Sequence, residues 1–156
     1  MKPNLKPIIC CWLALTSLSA FAQHLSFDHY KLSIYSGRPA KLKTKGNPLA
    51  EQFRTIIKDT YYSKEYIKTW HGATGLNFAG HYCFVFWGCG SPCKASAIVD
   101  LKTGIVYTGV TAAFDYKFRR NSRLVIVDAD TETNSTAYKT EYWLWNEDKK
   151  RFDKLK

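Results

Sequence analysis

The chain has 156 residues, with 23 Lys and Arg against 13 Asp and Glu for a formal charge of +10, and 46% of it is hydrophobic. That apolar share, with only 9 Gly and 5 Pro, excludes a disordered or fibrous chain. The length allows one ordinary domain with a real core.

The first residues carry Lys2 and Lys6, then a short apolar stretch through Trp12, Leu13 and Leu15, then small residues ending in Ala20-Phe21-Ala22. A positive start, an apolar middle and an A-x-A end make up a secretory signal, with cleavage expected after Ala22. A membrane anchor needs about 20 apolar residues, and this run stops at Gln23-His24. Residues 1–22 are therefore read as a signal peptide and 23–156 as a single domain, periplasmic or secreted, with no transmembrane anchor after cleavage. The mature chain keeps 21 Lys and Arg and all 13 acidic residues, a formal charge of +8. A basic surface suits nucleic acid, an anionic polymer or lipid, or an acidic protein, or merely keeps a small domain soluble. Outside the cytoplasm nucleic acid is not an expected partner.

Residues 30–35 (Tyr-Lys-Leu-Ser-Ile-Tyr) alternate apolar and polar, as a half-buried strand does. Asn47-Pro48 places a capping residue before a proline at the first helical position. Leu49, Phe53, Ile56, Ile57 and Tyr61 then share one face of a helix over 48–62. An irregular connection follows over 63–76. Residues 77–89 are almost continuously apolar, as in a strand covered on both faces. Strands over 94–100 and 105–109 flank Leu101-Lys102-Thr103-Gly104, whose glycine can supply a positive φ. Further strands are expected over 122–128, 136–145 and 151–155, with a polar loop over 129–135. The expected fold is α+β, with one N-terminal helix packed on an antiparallel β-meander sheet of about six or seven strands.

After cleavage three cysteines remain, Cys83, Cys89 and Cys93, an odd number for an oxidising compartment. Bridged cysteines need Cα atoms within about 7 Å, whereas four residues of extended chain span about 13 Å. A Cys89–Cys93 disulfide thus requires a tight turn, which Gly90-Ser91-Pro92 suits. Cys83, six residues before Cys89 in one continuous strand, is left as a buried free thiol.

The same segment holds the candidate binding residues His81, Trp87, Gly88 and Gly90. No catalytic residue is assigned, since no nucleophile elbow, zinc-protease helix or paired catalytic carboxylates occur. No metal site is assigned either. His71, His81 and the cysteines lack paired metal-ligand spacing, and the Asp128-Ala129-Asp130-Thr131-Glu132 run lacks the Gly and the Glu of a calcium loop. No cofactor is expected. His81 is read as a core histidine, with a reactive Cys83–His81 pair and a hydrolase using His81 with Asp100 or Asp128 as rivals.

Gly80-His81-Tyr82, Trp87-Gly88-Cys89-Gly90 with Cys93, then Ile98-Val99-Asp100 and Thr103-Gly104-Ile105-Val106-Tyr107 resemble a group of small uncharacterised exported bacterial proteins. The resemblance implies export and no particular reaction. The function expected is that of a non-catalytic binding protein of inhibitor or immunity type. Trp87 and the disulfide-closed loop would engage a partner protein, and the alternatives are a cell-envelope hydrolase using His81 or association of the basic 31–68 stretch with anionic envelope polymers.

Overall fold

The computed structural model describes residues 25–66, 74–129 and 138–155. The signal-like residues 1–22, His71, and the glycosylation-type Asn134-Ser135-Thr136 lie outside the described residues. Among the described residues, two short helices, α1 (Pro48–Gln52) and α2 (Arg54–Tyr61), precede seven strands. The strands are β1 (Tyr82–Gly90), β2 (Cys93–Asp100), β3 (Val106–Thr108), β4 (Tyr116–Phe118), β5 (Leu124–Val127), β6 (Glu141–Asn146) and β7 (Arg151–Leu155).

The fold is α+β, but the strands do not form the expected single meander. They make two antiparallel sheets, one of order β1-β2-β3 and one of order β4-β5-β6-β7. The break falls in the link between β3 and β4. There Tyr116 Oη donates to the carbonyls of Lys94 and Val110, and the Asp128 carboxylate accepts the N–H groups of Ala113, Phe114 and Asp115. With the Lys94–Ala112 bridge to β2, these side-chain bonds satisfy much of the link's backbone and turn it from one sheet into the other. They also give Asp128 a structural role instead of a calcium-ligand one.

The helical face forms as the spacing predicts, but in two pieces, because Phe53 leaves helical geometry (φ −105°, ψ 28°). Asn47 caps α1 by accepting the N–H of Ala50 at 3.1 Å, a contact worth about 1 kcal/mol. Its amide also donates to the Val106 carbonyl at 2.9 Å, tying the helix start to β3.

Successive residues of a strand face opposite sides, and β1 uses both. Tyr82 and Phe84, with Ile98 of β2, face Tyr116, Val125, Val127 and Trp145 of the second sheet. Cys83 and Val85, with Ala97 and Val99, face Ala50, Ile57 and Tyr61 of the helices. The result is three layers, helices on the three-stranded sheet on the four-stranded sheet, with β1 in the middle. Burial in this core pushes the Tyr61 and Tyr116 phenols up to about 12.

Residues 31–35 are not a strand. Phe27–Tyr30 is a turn of 3-10 helix, after which only Lys31 makes a bridge, to Ser122. The stretch instead straps both sheets through single bonds, Leu32 N–H to Asn121 O and Tyr35 N–H to Gly80 O. Leu32 and Ile34 stay exposed, so the alternation does not match a buried face. The strand expected from residue 77 begins at Tyr82, because Ala79 (φ 42°) and Gly80 (φ 77°) make a tight turn closed by the Phe78–Tyr82 bridge.

Candidate functional site

The β1–β2 hairpin ends in the cysteine loop. The Cys89 and Cys93 sulfurs stand 1.93 Å apart, at disulfide distance, with Cα atoms 5.1 Å apart. Gly90 occupies φ 131° at the tip. Cys83 is a free thiol with no exposed surface, and burial pushes its pKa well above the ordinary thiol value. It lies between β1 and α2 with Val85, which removes the reactive Cys83–His81 pair.

Beside the tip of this hairpin is a groove of about 690 Å³ between β1 and β4. Phe86, Trp87 and Gly88 border it on one side, Asp115 through Arg119 on the other, with Lys94 and Phe27 completing the wall. Three cations, Lys94, Lys117 and Arg119, meet one carboxylate, Asp115. Lys94 Nζ pairs with Asp115 at 3.0 Å and sits 5.6 Å from the Phe86 ring centre. The Arg119 guanidinium lies 4.7 Å from the Phe27 ring centre, a cation–π contact that holds the charge at the groove while leaving it hydrated. Aromatic faces beneath a net positive charge suit an anionic ligand with an apolar or planar part.

The candidate binding residues are not brought together. Trp87 and Gly88 border the groove, Gly90 sits at the exposed hairpin tip, and His81 lies elsewhere. Trp87 is not the free aromatic anchor expected. Alternation along β1 turns its indole toward the helices, where it stacks on Phe53 with ring centres 4.3 Å apart. Its Nε1 is buried without a hydrogen-bond partner among the described residues. The aromatic residue of β1 on the groove side is Phe86. Phe27, Lys94, Phe118 and Arg119 were missed as site residues. Their one signal is the Lys117-Phe118-Arg119-Arg120 run, which mixes charge with an aromatic residue in a segment that has no clear strand pattern.

His81 stands at a different junction, where β1 meets the β6–β7 turn. Its side chain is 13% exposed, with Nε2 3.5 Å from Glu147 and 3.9 Å from Asp100. Both carboxylates are already engaged. Glu147 accepts from Tyr82 Oη at 2.8 Å and Trp145 Nε1 at 3.1 Å and pairs with Lys150 Nζ at 2.5 Å. Asp100 accepts from Lys102 N–H and Thr103 Oγ1. Burial, aided by the nearby Lys102, lowers the His81 pKa against the pull of Glu147 and Asp100. Burial alone would raise the Glu147 pKa, but bonds from Lys150, Tyr82 and Trp145 outweigh it and bring it down. The cluster therefore reads as a neutral histidine beside a carboxylate–ammonium pair that joins the sheets. No strong nucleophile stands with it.

The basic stretch keeps Arg38, Lys41, Lys43 and Lys45 exposed, spread along a strap instead of around a concavity. No helix among the described residues is long and apolar enough to cross a membrane. No family model, curated protein or solved structure matches the chain, so geometry alone ranks these surfaces.

Proposed function

We propose that the chain is an exported, non-catalytic binding protein of inhibitor or immunity type whose ligand surface is the groove between β1 and β4. The observation that carries this reading is the pairing of aromatic walls with three cations against one acid in a single concavity beside the hairpin. Ligand sites are concave, largely apolar, and carry a few placed polar groups. The signal-like N-terminus and the cysteine pair at disulfide distance support export, as does the resemblance to small exported bacterial proteins.

The non-catalytic reading is favoured over a hydrolase by the state of His81. A general base needs reach to a substrate in a cleft, and here the imidazole is almost covered and its acidic neighbours are bonded to other groups.

The test is titration of the isotope-labelled protein with poly-L-glutamate, followed through backbone amide shifts. The expected result is shifts at Phe86 to Gly88 and Tyr116 to Arg119 that vanish at high salt, since exposed charges are screened beyond about 8 Å at physiological ionic strength. Shifts confined to residues 38–45 would transfer the function to the basic strap and remove the groove.

A further inference from the structure

Gly88 stands beside a register shift that separates it from Gly90, yet neither its conformation nor its surroundings demand glycine. Its φ is not in the positive region, and a Cβ built on it meets nothing within 4 Å. Gly80 and Gly104 differ, since each has positive φ and a backbone carbonyl oxygen 2.4 or 2.1 Å from where a Cβ would lie. A glycine within a strand weakens it and often marks a bulge or a place where a ligand or another backbone comes close; beside the bulge here, Gly88 also leaves its face of the strand bare.

The groove runs along strand edges. Side chains of a strand alternate between faces, so consecutive residues line one concavity only when it follows the edge. Residues 115–119 all line it, and 86–88 do so opposite. Both strands stand at the end of their sheet order, with a ladder partner on one side only, β2 for β1 and β5 for β4. An edge of this kind is where an extended segment adds itself by main-chain hydrogen bonds.

Taken with the excess of Lys94, Lys117 and Arg119 over Asp115, the geometry points to an extended acidic segment of a partner protein as the occupant, its backbone running along the β1 edge close past Gly88 and its carboxylates turned to Lys94 and Arg119. This rests on the groove being the ligand surface, and it adds that the ligand is a peptide strand. An anionic polysaccharide would use the same cations without needing Gly88 bare.

The experiment is fluorescence anisotropy with a labelled peptide of alternating Glu and Val, about six residues long as an ordinary strand is. A Lys–Val peptide is the control and labelled polygalacturonate the competing chemistry. Wild type is expected to bind the Glu–Val peptide saturably and the Lys–Val peptide not at all. Gly88→Val, which suits a strand and has room, should keep the melting temperature and weaken peptide binding about tenfold or more, as should Arg119→Glu. If Gly88→Val lowers the melting temperature, Gly88→Ala replaces it with the same expectation. Equal peptide affinity of the glycine variant and wild type overturns the peptide-strand assignment. Polygalacturonate binding that Arg119→Glu abolishes and Gly88→Val spares would overturn it too, while leaving the groove as an anion site. If no probe binds, both readings fall.

Discussion

Asn77 shows how much one side chain does in this molecule. Its carbonyl oxygen accepts the Phe84 N–H at 2.6 Å and its amide donates to the Phe84 carbonyl at 3.0 Å, so it replaces a missing strand on the outer edge of β1. Asn77→Ala leaves both buried backbone groups unpaired and is expected to cost about 2 to 4 kcal/mol, read as a lowered denaturant midpoint. Nothing in the sequence marks this residue, because an asparagine before an apolar run reads as a simple strand boundary. His81, expected in the core, lies at its margin with its side chain 13% exposed, and its partners were only half legible. Asp100 was a candidate, whereas Glu147 lies 66 positions later in the chain, in a turn. The lowered His81 pKa fixes a pH dependence. The unfolded chain takes up a proton near pH 6.5 and the folded one only at lower pH, so His81 favours folding fully above about 6.5 and progressively less as pH falls below it. Glu147, held below its ordinary 4.5, loses its contribution at still lower pH. His81→Gln should flatten the upper part of the stability–pH curve and leave the lower part intact. An unchanged curve would deny the histidine this role.

At the scale of the element, the hairpin was the most legible feature. Short-range geometry decides whether Cys89 and Cys93 can meet, and short-range geometry is what a sequence displays. Alkylation of the protein purified under non-reducing conditions should label Cys83 only after unfolding, with Cys89 and Cys93 recovered as one linked peptide. Rapid native labelling of Cys83 would contradict its burial. An apolar helical face over 48–62 was legible, but the single helix expected there is two short ones, and the break at Phe53 was not legible. Phe53 meets Trp87, and a contact made across the fold leaves no local trace. The β2–β3 loop was legible through Gly104, whose φ is 76°, but its second role was hidden. The Lys41 carbonyl passes so close that a Cβ at Gly104 would lie 2.1 Å from it. Gly104→Ala therefore meets both a conformational and a steric barrier, and should cost more than the roughly 1 kcal/mol of an ordinary glycine-to-alanine mismatch. The loss should appear in thermal unfolding, accompanied by faster proteolysis within residues 38–45. Resistance equal to wild type would show that the strap is held elsewhere.

For the whole molecule, strand number was legible and strand partnership was not. Apolar patterning and turn residues located β2, β3, β5 and β7 closely and β1 with too early a start, while the clean alternation over 30–35 did not make a strand. Such patterning does not say where a meander changes sheet, and three-residue β4 has too short a pattern to register. The groove between the sheets was invisible for that reason, since it exists only where β1 and β4 come side by side. The same layout governs the order in which the chain completes itself. Each sheet is built from strands that follow one another in sequence, so both arise from local pairings that form quickly. The segment over 31–43 is different, bonding to Gly80, Leu101, Gly104 and Asn121, all made later than itself. During synthesis the first of these partners, Gly80, follows Tyr35 by 45 residues, and the last, Asn121, follows Leu32 by 89. The cationic strap is thus fastened one bond at a time, each only after a later stretch of chain has been made.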